Sequence, residues 1–110
     1  MPLEPNKALL VIQRQLKELD AIFQDTMEMS LNTVAGTERI AKWRVQTIAL
    51  LTESVGEKAA QEFARLQPGM VFTNDLVEEF TDLVDCFRVP LTALGKQISQ
   101  AAQRPGGGGP

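Results

Sequence analysis

Asp75, Glu78, Glu79, Asp82 and Asp85 fall three or four residues apart, so a helix would carry all five carboxylates along one side. Carboxylates in that pattern suit three kinds of chemistry: holding a divalent metal, imitating a nucleic-acid backbone, or docking a basic partner. Metal binding fits worst, because a lone helix cannot wrap oxygen ligands around Ca²⁺, which needs a loop. Like charges at these separations also repel one another. The ridge therefore reads first as a solvated surface and second as a strip that binds a protein partner.

Arg44 is a sharper anomaly. On a helical wheel it falls, with Thr47, inside an apolar arc. A guanidinium there is costly unless paired. The expectation is a structural ion pair between Arg44 and a carboxylate of another helix, from the acidic ridge or from Glu62. Arg39, Lys42, Trp43 and Arg44 also mix basic and aromatic side chains, the chemistry that stacks bases and holds phosphate. Trp43 lies on the apolar side of the wheel, however, and no second basic cluster extends the track. Trp43 is expected in the core.

Cys86 is the sole cysteine and sits among the acidic positions, where neighbouring carboxylates raise a thiol pKa. The chain has no histidine to act as its base. Tyrosine is absent as well. Lacking imidazole, the chain is a poor candidate for most hydrolase, nuclease and transition-metal chemistry. Neither GxGxxG nor GxxxxGK[ST] occurs, and the glycines at 106–109 have no helix after them to build a phosphate cradle. No enzyme activity, cofactor, metal or small-molecule substrate is expected.

The elements that would position these groups are helical. Leu9, Ile12, Leu16, Leu19, Phe23 and Met27 form one stripe, with Asn6 as a candidate N-cap, over a helix at about 7–29. Ser30 to Gly36 breaks the pattern and reads as a loop. A second helix at about 38–55, capped by Thr37, ends at Gly56. It is apolar around more than half its girth, which places it centrally in its bundle. A short helix at about 57–67 precedes the Pro68-Gly69 turn. The fourth, about 74–103, is capped by Thr73, with Phe72 and Val77 spaced as a hydrophobic staple. Its stripe runs through Leu76, Phe80, Leu83, Phe87, Leu91, Leu94 and Ile98 and stays in phase across Pro90. That favours a kinked but continuous helix over a break.

The expected fold is thus all-α: a four-helix bundle over 1–104, then a flexible Gly/Pro tail or linker start at 105–110. Its core should hold Leu9, Ile12, Leu16, Leu19, Phe23, Ile40, Trp43, Ile48, Leu51, Phe63, Leu76, Phe80, Leu83, Phe87 and Leu94. A chain of 110 residues is one domain by the usual length prior, and its net charge of −3 offers little to a phosphate backbone. No apolar run approaches the roughly 20 residues of a membrane span. A cytoplasmic setting fits the single cysteine and the absence of a basic N-terminal leader. By elimination the leading expectation is a non-catalytic protein-interaction domain, self-associating or serving as an adaptor. Leu10, Val71 and Val89 are apolar positions left over for such a surface. The runner-up is a small acidic inhibitor, or antitoxin-like regulator, covering a basic site on another macromolecule.

Overall fold

In the computed structural model the described residues are 5–30, 32–69 and 75–103. They form four packed α-helices: α1 (Pro5–Asp25), α2 (Thr33–Ser54), α3 (Glu57–Ala64) and α4 (Leu76–Gln103). A π-helical turn over Thr26–Ser30 follows α1. The molecule measures 52 × 24 × 21 Å. Helix α1 lies against both α2 and α4, while α3 folds back mainly onto α2.

Helix starts are where the sequence reading most needs correction. α1 begins at Pro5, not after Asn6; proline suits a first helical position, where its missing N–H leaves no bond unmade. The supposed loop before Gly36 is partly helix. Asn32, not Thr37, caps α2, with its side-chain oxygen accepting from Ala35 N–H at 3.1 Å. At Gly36 the backbone passes close to its neighbours. A Cβ there would lie 2.6 Å from Thr26 Oγ1 and 2.9 Å from the Phe80 ring. Glycine in this stretch therefore marks a tight helix contact, not a turn. Thr26 also donates its hydroxyl to the carbonyl of Ile22 at 2.7 Å, next to the point where α1 loosens into the π turn.

Helix α2 ends one residue before Val55, and Gly56 then takes φ +143°, a conformation that side-chain-bearing residues avoid. The Leu51 carbonyl accepts from both Val55 and Gly56 N–H at 2.8 and 2.9 Å. Helix α3 stops at Ala64, short of the expected 67. Helix α4 runs unbroken through Pro90. The Thr73 cap, the Phe72–Val77 staple, Val71 and the tail at 105–110 involve positions outside the described residues.

The core follows the stripes. Ile12 and Leu19 of α1, Ile40, Trp43 and Leu51 of α2, Phe63 of α3, and Phe80 and Phe87 of α4 are buried. Leu9, Leu16, Phe23, Ile48, Leu83 and Leu94 pack against them half-buried. Leu76, expected inside, is 62% exposed: it starts α4 at the mouth of an open hollow that it lines with Thr33, Thr37 and Pro68. Val84, Leu91 and Ile98 fill the places further along the α4 stripe. Trp43, Phe63 and Phe87 join α2, α3 and α4 in a triangle of rings with centroids 5.7–6.0 Å apart.

Candidate interaction surfaces

The five carboxylates of the acidic ridge have different jobs. Asp75 is the N-cap of α4. Its Oδ1 accepts from Val77 N–H at 2.9 Å and, more distantly, from Glu78 N–H at 3.4 Å. Its charge also sits where the helix dipole favours an anion. Asp85 is half-buried beside Arg88, whose Nη1 lies 3.5 Å from its Oδ1. The Nη2 of the same arginine donates to Asp20 of α1 at 3.0 Å, and its guanidinium covers the Phe23 ring at 5.7 Å. Asp85 thus belongs to a clasp between α4 and α1. Glu78, Glu79 and Asp82 are exposed.

Arg44 does cross to another helix, but not to a carboxylate. Its Nη2 donates to the backbone carbonyls of Ala64 at 2.5 Å and Leu66 at 2.8 Å. Those are carbonyls at the C-terminal end of α3, where the helix dipole is negative and the in-helix donors have run out. The guanidinium also lies over the Phe87 ring at 5.2 Å. A helix C-terminus supplies what the wheel suggested a carboxylate must, and no residue type in the sequence signals it. Only Nε is left buried without a hydrogen-bond partner.

Arg44 bears on Cys86 as well. Burial raises the half-buried thiol above its ordinary value of 9.0, and the nearby Arg44 charge works against that rise. The direction matches the sequence reading, while the cause is burial rather than acidic neighbours.

The other inward polar residues are consumed structurally. Gln15 donates through Nε2 to Thr47 Oγ1 at 2.8 Å, and Thr47 donates to the Trp43 carbonyl at 2.7 Å. The Trp43 indole N–H returns to the Gln15 carbonyl at 2.9 Å. This closed network ties α1 to α2 and gives Thr47 the partner its apolar position required. Gln15 escaped the sequence reading, although its spacing from Ile12 and Leu19 puts it on the buried stripe.

Helix α2 packs against all three other helices, as its expected central place requires, yet it does not bury its whole apolar girth. It buries one face, and the opposite face is open. Val34 and Val45 are each 70% exposed, and Ala41, Ala49 and Thr52 are exposed along the same strip, with Glu38 among them. Lys42 and Glu53 flank the strip on one side. Neither has an ion-pair partner among the described residues. Next to this flank, a shallow groove of about 400 Å³ runs between α1 and α2, floored by Ala21, Ile22 and Trp43. Leu10 and Val89, also exposed, lie singly on α1 and α4.

Among the described residues no group of three or more Cys, Asp or Glu side chains is placed to hold a metal ion. No helix among them is long and apolar enough to cross a membrane. No protein-family model matches this chain, and neither a curated protein nor a solved structure matches it.

Proposed function

We propose that this chain is a non-catalytic protein-interaction domain that docks through the outer face of α2. One observation carries the reading: a helix apolar around most of its girth leaves Val34, Ala41, Val45 and Ala49 in water. Single exposed apolar residues are ordinary, but a strip over several helical turns favours a binding face. The interior gives the reading indirect support, since Gln15, Thr47 and Trp43 satisfy one another instead of facing a cavity.

The alternative, an acidic regulator covering a basic site, rests on fewer carboxylates than the sequence suggested. Asp75 caps a helix and Asp85 belongs to the Arg88 clasp, which leaves Glu79 and Asp82 as its docking groups. The two readings separate by paired surface variants in the native cell. Val34→Lys/Val45→Lys should dissolve whatever complex the protein forms, seen as a shift to low mass on size-exclusion chromatography. Glu79→Lys/Asp82→Lys should leave that complex intact. The reverse pattern would transfer the function to the acidic ridge, and no effect of either pair would remove both readings. Asp85 is unsuitable for this test because its loss would also open the α1–α4 clasp.

A further inference from the structure

We infer that the outer face of α2 packs antiparallel against the same face of a second copy, around a two-fold axis at the level of Thr47. This rests on the docking face proposed above and names its occupant. The argument begins with the unpaired flanking charges. Lys42 and Glu53 are separated by three helical turns, so they project from the same flank about 16 Å apart. In an antiparallel pair each flank meets itself reversed, and Lys42 of one copy comes opposite Glu53 of the other, twice by symmetry. In a parallel pair this flank would meet the opposite flank of the second copy, and the two charges would not face each other.

The apolar strip is compatible with the same axis. With that register Val45 lies over Ala49 of the second copy, and Ala41 lies over its Thr52. The midpoints of all three pairings fall within one residue of Thr47. Alanines at two of the contact positions let the helix backbones approach closely. Glu38, the one charge within the strip, comes opposite Gly56 of the other copy. That corner carries no side chain, and the space a Cβ would occupy there is open. Opposed helix dipoles favour the same orientation. The contact is a single helix face, smaller than a standard stable interface, so the association is weak and concentration-dependent.

Sedimentation equilibrium on the full chain, taken to millimolar concentration, tests this. The wild type should show a reversible monomer–dimer equilibrium. Lys42→Glu alone and Glu53→Lys alone should each weaken the dimer by about tenfold, because each turns two attractions into two repulsions. The double variant Lys42→Glu/Glu53→Lys should restore it. Val45→Glu should leave only monomer. These positions are exposed, so unchanged circular dichroism will separate lost association from lost folding. A strict monomer throughout, or a double variant as weak as the singles, would overturn the pairing. A photo-crosslinking residue at position 45, used in the native cell, distinguishes this failure from that of the broader reading. An adduct at twice the protein's own mass that contains only this chain supports the pairing. An adduct with another protein overturns the two-fold contact and leaves a docking face. No adduct at all overturns both.

Discussion

Gly36→Ala sets two opposing effects against each other on one helix. Alanine within a helix gains up to about 1 kcal/mol over glycine, because less backbone entropy is lost on folding. Against that, its Cβ would meet Thr26 Oγ1 at 2.6 Å and two ring atoms of Phe80 at 2.9 Å. Neither neighbour is free to yield. The Thr26 hydroxyl is bonded to the Ile22 carbonyl at 2.7 Å, and the Phe80 ring lies parallel to Phe23 with centroids 6.0 Å apart. Several contacts below 3.0 Å against held groups call for the upper end of the overpacking range, about 3 kcal/mol. The net loss is then about 2 kcal/mol, which lowers Tm by about 8 °C in a domain of this size. Gly95→Ala is the internal control. It makes the same propensity gain, but its Cβ meets only Ile12 Cγ2, at 3.3 Å, so Tm should stay within about 4 °C of wild type. Thermal denaturation followed by circular dichroism reads both. Adding Phe80→Leu to Gly36→Ala should destabilise less than the two changes summed, since the shorter side chain makes room. A Tm for Gly36→Ala that rises as much as that of Gly95→Ala would refute the close approach of α2 to α4.

Two further predictions concern Arg44 and its neighbour. Arg44→Met keeps the bulk over Phe87 but leaves the Ala64 and Leu66 carbonyls without their donor, at a cost of about 2 kcal/mol. Hydrogen exchange should quicken first in α3 and the residues after it, and equal quickening throughout the chain would show that Arg44 does not hold α3 specifically. Cys86 should alkylate more slowly in the folded chain than in denaturant at neutral pH, because burial withholds the thiolate. The linkage has a definite sign. Well below the ordinary thiol pKa of 9.0, both states keep the proton and the group contributes nothing. As pH rises through that value the unfolded chain ionises first, so stability falls on the alkaline side. Cys86→Ser should flatten that alkaline decline, and an identical decline in the variant would refute the assignment.

Much of the architecture can be read from spacing. Apolar residues every three or four positions marked all four helices, and the unbroken phase from Phe87 through Leu91 to Leu94 foretold that α4 would continue past Pro90. Trp43 was placed in the core for the same reason and is 3% exposed. Helix ends were less readable, because a cap is a local competition among several side chains that could each accept an amide proton. Asn32 wins at α2 over Thr37, and Asp75 serves at α4. The candidate surfaces were readable only in part. A wheel drawn for one helix separates apolar from polar sides but says nothing about how many neighbours that helix finds. Asp85 and Arg44 show the same limit, since their partners lie on other helices.

By itself the sequence determined that this chain folds into packed helices and brings no histidine-based chemistry, because periodicity and composition are properties of the chain alone. The tertiary structure decided which apolar face stays in water, which carboxylates are tied up, and that the end of α3 receives Arg44. Those outcomes depend on distances between residues far apart in the chain, and local spacing does not encode them.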